Sequence, residues 1–375
     1  FNVDYLEQEL EDLDYDTISA SNGQEGLQHV DKAKPDMILL DIMMPVMDGF
    51  EMLEELKAEP DWRDIPVVII SAMSDMDSVV RGIQLGADDY LPKPFEPTLL
   101  KARLEAGLER KRLRDLEKGY IQSLEKELEI GHRIQSGFLP EFLPDIEGWG
   151  IAAHFKAARE VAGDFYDVFC LPDGKVGFFL GDVTDKGVGS ALYMALYRSL
   201  LRAFFLDDLP ALVSTVEDEC ARLLLHTVRR TNQYVSETHE RPLYATLLIG
   251  ILNPQTGAIR YINAGHNPPA ILKPDNSRID LKPTGPFIGM AADLEYTVAV
   301  AELGEGDALF IYSDGVEDTE NDNGEFFGRE CMIELLATSP QSAHELVERF
   351  SSTLDSFMGE AKPFDDVTVL VIMKQ

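Results

Sequence analysis

The apolar seam between residues 100 and 138 constrains the fold of this 375-residue chain more than any other feature. Its apolar side chains fall mostly three to five positions apart among dense alternating charge, which is the pattern of one long helix with a single apolar stripe. The sequence on either side has a different texture, and at roughly 150 residues per domain the chain should hold two or three domains. The seam consists of Leu100, Leu104, Leu108, Leu113, Leu116, Tyr120, Leu124, Leu128, Ile134 and Phe138.

Two arrangements explain this seam. A two-stranded coiled coil would bury it against a second copy of the chain, and a helix folded back onto its own domains would bury it within one chain. We favour a coiled-coil linker over residues 99–139, and hence a homodimer, because no neighbouring element of comparable length is available to cover the seam. Pro140 and Pro144 are expected to end the helix.

The sequence before the seam, residues 1–98, reads as alternating strands and helices. Short continuous apolar runs at 37–40 and 67–70 lie between helical patterns, as buried parallel strands do. This pattern predicts an α/β doubly wound domain of the flavodoxin-like type.

After the seam, residues 148–375 become strand-rich. Two helical stretches, roughly 188–206 and 209–228, lie between the strands, so we predict an α+β sandwich. The apolar runs that suggest strands cover residues 176–180, 245–252, 258–262, 308–312 and 367–371.

Net charge limits the possible partners. The chain has 33 Lys and Arg against 67 Asp and Glu, a net charge of −34. Phosphate backbones and anionic lipids would repel it, so we expect no nucleic-acid and no membrane partner. The seam differs from the chain as a whole, because nine basic and seven acidic residues between 101 and 133 give +2. The most apolar helical stretch, 191–206, contains Arg198 and Arg202, which argues against a membrane span.

The three cysteines indicate a reducing compartment. Cys170, Cys220 and Cys331 are far apart and lack metal-binding spacing, so we expect core thiols in a cytoplasmic protein.

Three strand ends carry the groups of a phosphorylation site. Asp41 directly follows the apolar run 37–40, Ser71 ends the next run, and Lys93 ends a third candidate strand. A carboxylate, a hydroxyl and an ammonium group at one sheet edge can accept a phosphoryl group, sense it and neutralise its charge.

These motifs resemble the receiver domain of two-component response regulators: LLDIMMPVMDG around Asp41, IISAMSD around Ser71, and GADDYLPKPF around Tyr90 and Lys93. The resemblance implies that a cognate sensor histidine kinase phosphorylates Asp41 and that the Met43 carbonyl binds Mg²⁺. It also implies that Ser71 and Tyr90 are switch residues and that Lys93 pairs with the phosphoryl group. Receivers begin with a strand ending in two acidic residues that hold the magnesium, and we expect that strand to precede Phe1.

Isolated aspartates border the strands of the last domain. Asp164, Asp182 and Asp314 each lie beside glycine at or near a strand end, and Asp365 and Asp366 immediately precede the final run. If they converge, such hard oxygen ligands select Mg²⁺ or Mn²⁺, and two ions about 4 Å apart would activate a bridging water for phosphoester hydrolysis. The alternative is a set of surface acids that never meet.

The same segments resemble the PPM-type phosphatase domain of the bacterial stage II sporulation E group, a relative of protein phosphatase type 2C. The resemblance rests on five motifs: VAGDFYDVF, LGDVTDKGVGSALYM, YATLLIGIL with YINAGHNPP, LFIYSDGVEDT and DDVTVLV. It implies a metal-dependent protein serine/threonine phosphatase with two Mn²⁺ or Mg²⁺ ions.

By motif position, the resemblance assigns the metal ligands. Asp182 would bridge both ions with help from the Val183 carbonyl, and the remaining catalytic ligands would be Asp164, Asp314 and Asp365. Asp366 is a weaker candidate, because the related eukaryotic enzymes carry Asn there.

Two basic side chains near these motifs receive separate interpretations. Arg159 is the nearest candidate for the phosphate-binding arginine of the eukaryotic enzymes. His266 precedes Asn267 and two prolines, which already explain a rigid turn, so we interpret it as a turn or core histidine.

A receiver, a linker helix and a phosphatase in one chain resemble the regulated phosphatases of bacterial partner-switching systems. That resemblance implies a phosphorylated anti-sigma factor antagonist as substrate and a regulatory switch at 186–190 and in the helix that follows. The competing interpretation is a catalytically silent adaptor. Loss of the acidic ligands would favour it, but every one of these positions carries an aspartate. A nucleotide hydrolase is disfavoured because no P-loop is evident.

Overall fold

The computed structural model divides into two compact units, Phe1–Glu125 and Lys126–Gln375. It describes residues 3–72, 76–206, 218–238, 242–337 and 341–375.

A three-stranded parallel sheet forms the centre of the first unit. Its strands are β1 (Ile38–Asp41), β2 (Val67–Ala72) and β3 (Asp89–Lys93), in that order. The helices are α1 (Val3–Glu11), α2 (Gly23–Ala33), α3 (Gly49–Ala58), α4 (Met76–Gln84) and the first part of α5 (Pro97–Ser136). Apolar residues of α2 and α3 pack on one face of the sheet, and those of α1 and α5 pack on the other. The doubly wound prediction is confirmed.

The start of α3 fixes the loop that follows β1. Asp48 accepts hydrogen bonds from the backbone N–H groups of Phe50 and Glu51, and the Glu51 carboxylate accepts one from the Asp48 N–H, which makes a capping box. A Cβ at Gly49 would overlap the carbonyl oxygen of Asp41. Glycine is therefore required where the helix begins against the end of β1.

The predicted long helix is present as α5, which has 40 residues. Leu100 and Leu104 are buried in the core of the first unit, whereas Leu113, Leu116 and Tyr120 are exposed. The helix ends at Ser136, before both prolines that were expected to end it.

Two five-stranded antiparallel sheets form the second unit. The first has the order β10-β9-β12-β13-β4 and the second β11-β8-β7-β6-β5. The strands are β4 (Trp149–Lys156), β5 (Asp164–Cys170), β6 (Val176–Val183), β7 (Ala245–Leu252), β8 (Ala258–Ala264), β9 (Ala270–Leu272), β10 (Arg278–Asp280), β11 (Ala299–Glu302), β12 (Ala308–Tyr312) and β13 (Val367–Lys374).

Helices cover the outer faces of both sheets, so the predicted α+β sandwich is confirmed. Successive side chains of β6 point to opposite faces of its sheet. Phe178 and Leu180 lie between the two sheets, while Phe179 lies under the outer helices. Because both faces are buried, the central strands read as continuous apolar runs. The helices are α6 (Val188–Leu206) and α7 (Glu219–Thr238) on one sheet, and α8 (Gly328–Leu336) and α9 (Ala343–Met358) on the other.

Two expectations need correction. The helix predicted over 209–228 is α7, which within the described residues runs from Glu219 to Thr238; residues 209–217 lie outside them. The cysteines are not core thiols, because Cys170 and Cys331 are exposed and Cys220 is half-buried. Cys170 is the last residue of β5. In α8, which contains Cys331, the buried residues are Met332 and Leu336.

Within the described part of the chain, no helix is both long and apolar enough to cross a membrane.

Candidate active site

The carboxyl edge of the parallel sheet brings Asp41 and Lys93 together. Asp41 is the last residue of β1 and Lys93 the last of β3. The Lys93 ammonium lies 2.5 Å from Asp41 Oδ2, and the Met43 N–H donates to Asp41 Oδ1 at 3.3 Å. A carboxylate and a cation thus meet at the edge of the sheet, where phosphoryl chemistry was predicted.

Ser71 and Tyr90 lie on the neighbouring strands. Ser71 follows Ile70, the residue paired with Asp41 in the β1–β2 ladder. Its side chain is buried, and Oγ has no hydrogen-bond partner among the described residues. Tyr90 is half-buried, with the Arg103 guanidinium 5.8 Å from its ring centroid.

In the second unit, Asp164 and Asp182 face each other across the β5–β6 ladder. Asp164 is buried, and its Oδ2 accepts a hydrogen bond from the Thr368 hydroxyl. Its Oδ1 makes no hydrogen bond within the described residues. The Thr368 hydroxyl therefore orients Oδ2. Oδ1 is a buried acceptor without a donor among the described residues, and buried polar atoms normally have a partner.

Asp314 approaches this pair from the other sheet. It begins a 3-10 helix, Asp314–Val316, directly after β12 and Ser313. A Cβ at Gly315 would overlap the carbonyl oxygen of Asp366, so the two loops meet backbone to backbone. The Ser313 hydroxyl donates to that carbonyl at 3.2 Å, which ties Asp314 to the segment just before β13.

Asp366 uses both carboxylate oxygens to hold the loop before Asp164. Oδ1 accepts the Ala158 N–H at 2.8 Å, and Oδ2 accepts the Gly163 N–H at 2.6 Å. Each oxygen keeps one further lone pair, but these bonds favour a positioning role over metal ligation.

The five aspartates influence one another electrostatically. Burial, followed by the charges of Asp314, Asp365 and Asp366, raises the pKa of Asp182 to about 8. Burial also raises the pKa of Asp164 well above its ordinary value, and the charges of Asp182 and Asp366 add to this. The pKa of Asp314 is raised by burial and by Asp365. The carboxylates of these aspartates therefore lie near enough to one another to act on each other's ionisation.

Sequence comparison agrees with this geometry. The pattern of the stage II sporulation protein E (SpoIIE) family matches residues 172–375, and that of the response regulator receiver domain matches residues 1–105. The chain belongs to the SpoIIE family. Its first unit contains a receiver domain.

Two curated relatives match different shares of the chain. Protein IcfG of Synechocystis sp. is 37% identical over 262 residues, 66% of this chain and 41% of IcfG. The probable transcriptional regulator ycf27 of Porphyridium aerugineum is 41% identical over 105 residues, 28% of this chain and 42% of that protein. The chain therefore spans about four-tenths of the length of these relatives.

Among solved structures, the SiaA PP2C domain of Pseudomonas aeruginosa aligns with a TM-score of 0.55 and 21% sequence identity. The match covers 68% of this chain and 99% of that domain. At this identity the likeness shows a shared PP2C phosphatase fold.

The donor set of the SpoIIE-type domain fits Mg²⁺ or Mn²⁺. The candidate ligands are all carboxylate or carbonyl oxygens, and within the described part of the chain the buried Asp164 Oδ1 has no hydrogen-bond partner. As the side chains stand, no group of three or more His, Cys, Asp or Glu residues among those described is arranged to hold an ion directly. Carboxylates that repel one another in this way would need a cation to draw them closer.

Residues 186–190 and the start of α6, the predicted regulatory switch, contact the site through Val183. The Ser190 hydroxyl, in the first turn of α6, donates to the Val183 carbonyl at 3.2 Å. Further along α6, Arg198 and Arg202 form ion pairs of 2.7 Å with Asp167 of β5, a fully buried residue three positions after Asp164. The sequence analysis missed Asp167, which stands in the quoted VAGDFYDVF motif.

The basic residues near the cluster have different surroundings. Arg159 is exposed, and in the part of the chain that the structure describes it forms no ion pair with the aspartates. Lys186, which was not singled out, lies 2.8 Å from Asp365. His266 is a buried core residue with Nδ1 2.7 Å from the Thr246 hydroxyl, and burial lowers its pKa to about 4.

Proposed function

We propose that this protein is a response regulator whose output is metal-dependent dephosphorylation of phosphoserine or phosphothreonine on a protein. One observation carries the proposal: five aspartates from four segments form a single cluster in a domain of the SpoIIE family. A receiver-type Asp–Lys pair on the same chain supports control by phosphorylation.

In the phosphatase unit, Asp164, Asp182, Asp314, Asp365 and the Val183 carbonyl would hold two Mn²⁺ or Mg²⁺ ions. When bound, the ions supply an activated water and neutralise the phosphoryl oxygens. The protein's own part is positioning, beginning with the β5–β6 ladder, which sets Asp164 opposite Asp182.

Hydrogen bonds complete this positioning. The Thr368 hydroxyl orients Asp164, and Asp366 holds the preceding loop through the Ala158 and Gly163 N–H groups. Burial and, after it, repulsion from neighbouring carboxylates raise the pKa values of Asp182 and Asp314, and bound cations would offset both effects.

In the receiver unit, we propose that Asp41 accepts a phosphoryl group from a cognate sensor histidine kinase. Mg²⁺ would bind at Asp41 and the Met43 carbonyl, and Lys93 would pair with the phosphoryl oxygens. The Ser71 hydroxyl, which has no partner among the residues that the structure describes, would sense the modification together with Tyr90 on the adjacent strand.

We propose that α5 connects the two activities. Near its start, Leu100 and Leu104 belong to the receiver core, and near its end Gln135 hydrogen-bonds with Ala162, two residues before Asp164. A change at the receiver that moved α5 would therefore act on the backbone that positions a proposed metal ligand.

The exposed seam supports a coiled-coil homodimer. Leu116 and Tyr120 are 58% and 67% exposed, and a second copy of α5 would cover them. We keep 1–98, 99–139 and 148–375 as the receiver, linker and phosphatase domains. The resemblance to partner-switching phosphatases supports a phosphorylated anti-sigma factor antagonist as substrate, met in the cytoplasm.

Hydrolysis of p-nitrophenyl phosphate and of a phosphoserine protein, with and without Mn²⁺, tests the catalytic part. We expect Mn²⁺-dependent turnover by the 375-residue protein and none by Asp182→Ala. No turnover by either protein would favour the silent adaptor. Equal rates with and without beryllofluoride would contradict control by the receiver.

A further inference from the structure

The turn between β6 and α6 brings a lysine to the aspartate cluster. Asp185 and Gly187 on either side of Lys186 have φ angles of +76° and +90°, so the chain reverses sharply there. The Lys186 ammonium lies 2.8 Å from Asp365 Oδ2 and donates to the Phe364 carbonyl oxygen at 2.8 Å. The fold therefore holds this cation at the edge of the site.

Lys186 is the basic residue that pairs with the aspartate cluster. Among the described residues, no other Lys or Arg forms an ion pair with any of the five aspartates. A phosphoserine carries a charge of about −1.5 to −2, and a carboxylate cluster repels it. A neighbouring ammonium group reduces that repulsion and can donate hydrogen bonds to the phosphoryl oxygens.

The Lys186 side chain is also accessible to solvent and held in place by its neighbours. Its exposed fraction is 31%, so solvent and ligands can reach it. Nζ lies 4.2 Å from the centroid of the Phe364 ring, a cation–π contact that holds the ammonium group in place. Asp365 and the Phe364 carbonyl use two of the three N–H donors, which leaves one for another acceptor.

We propose that Lys186 is a phosphate-binding residue that donates to a non-bridging phosphoryl oxygen of the substrate, with Phe364 as its positioning residue. This inference rests on the proposed function and names the group that receives the phosphoryl group of that substrate. It assigns to Lys186 the role that the sequence suggested for Arg159.

The experiment compares the 375-residue wild type with Lys186→Gln, Lys186→Arg, Phe364→Leu, Arg159→Gln and Lys175→Gln. Lys175 is the matched control, because it pairs with Asp173 in the turn at the far end of β5 and β6. Calorimetric titration measures the binding of inorganic phosphate in excess Mg²⁺, and a separate titration measures Mg²⁺ binding. Steady-state kinetics on a phosphoserine peptide give kcat and KM.

We expect Lys186→Gln to weaken phosphate binding and raise KM by about 10- to 100-fold, the size of a lost charge-assisted hydrogen bond. Lys186→Arg should bind phosphate almost as well as the wild type. Phe364→Leu should weaken phosphate binding less than Lys186→Gln does, and Lys175→Gln should match the wild type. Mg²⁺ affinity should not fall in Lys186→Gln, since that change removes a competitor for Asp365.

Unchanged phosphate binding in Lys186→Gln would overturn the proposal, as would a loss confined to Arg159→Gln. So would a loss of Mg²⁺ affinity that by itself explains the kinetic defect. Failure of the proposed function would look different, because the wild type would then bind Mg²⁺ and phosphate without hydrolysing any phosphopeptide.

Discussion

Gln135 and Ala162 are joined by two hydrogen bonds. The Gln135 side-chain amide donates to the Ala162 carbonyl oxygen at 2.6 Å, and its Oε1 accepts the Ala162 N–H at 2.9 Å. Gln135 is buried, although most residues near this end of α5 are exposed. The end of the linker helix therefore supports the backbone that leads into Asp164.

Replacing Gln135 with Ala should lower phosphatase activity and weaken its response to receiver phosphorylation. The substitution leaves two buried backbone groups of Ala162 without partners, which costs about 1–3 kcal/mol and loosens the loop before Asp164. Thermal unfolding and phosphatase rates with and without beryllofluoride measure both effects. Ser136→Ala is the control, because that hydroxyl bonds only within its own helix. A Gln135→Ala protein with wild-type rates and response would rule out this route.

Replacing Asp182 with Asn should stabilise the metal-free protein while abolishing stabilisation by Mn²⁺. The neutral amide replaces a carboxyl group whose ionisation is opposed first by burial and then by the charges of Asp314, Asp365 and Asp366. We expect the Tm in EDTA to rise by a few degrees and the further rise on adding Mn²⁺ to disappear. Asp173→Asn, in an exposed turn, should leave both quantities unchanged. An equal Mn²⁺-induced rise in wild type and Asp182→Asn would exclude Asp182 as a ligand.

The strands that the sequence predicted best are those buried on both faces. The continuous apolar runs at 245–252 and 308–312 coincide with β7 and β12, because helices and the opposite sheet cover both of their surfaces. β4 was not predicted, since it is an edge strand whose mixed sequence includes His154 and Lys156. The exposed Cys331 was misassigned, because composition does not reveal which side of a helix faces the core.

The site was only partly predictable for a related reason. Glycine and strand ends identified the aspartates one at a time, since those signals are local. The contact between Lys186 and Asp365 joins residues far apart in sequence, and no local pattern encodes it. The same holds for the pairing of Asp167 with Arg198 and Arg202, which the sequence analysis read only as charges that interrupt an apolar helix.

Replacing Asp167 with Asn should destabilise the phosphatase unit and weaken the attachment of α6 to β5. Asp167 is fully buried between Arg198 and Arg202, and losing one partner of a buried ion pair costs about 3–5 kcal/mol. Denaturant unfolding and hydrogen exchange of α6 measure the effect. Asp218→Asn breaks the more exposed pair with Arg260 and should cost about 1 kcal/mol or less. Equal losses in the two variants would show that Asp167 does not hold the helix.

Replacing Leu116 and Tyr120 with Glu should convert the proposed dimer into a monomer. Both side chains lie on the exposed seam, where four added charges in a dimer would oppose burial. Light scattering after size-exclusion chromatography measures the mass. Gln122→Glu adds the same kind of charge on the opposite face of α5 and should leave the mass unchanged. A monomeric wild type would contradict the coiled coil and favour a seam buried within one chain.

His266 should make the phosphatase unit less stable as the pH falls. Burial lowers its folded pKa to about 4, whereas an unfolded imidazole titrates near 6.5, so between these values the unfolded chain binds a proton that the folded chain does not. Stability is therefore lost as the pH drops through 6.5 and levels off below about 4, with a total loss of up to about 3 kcal/mol.

The difference in unfolding free energy between wild type and His266→Gln, measured from pH 7.5 to about 4, isolates this contribution. Other groups titrate similarly in both proteins and cancel in the difference, including the aspartates whose raised pKa values act in the opposite sense. We expect the unfolding free energy of His266→Gln to rise relative to that of the wild type as the pH falls. His344→Gln, at an exposed histidine of α9, controls for the loss of a titrating ring. Parallel curves for wild type and His266→Gln would show that the buried imidazole does not create this pH dependence.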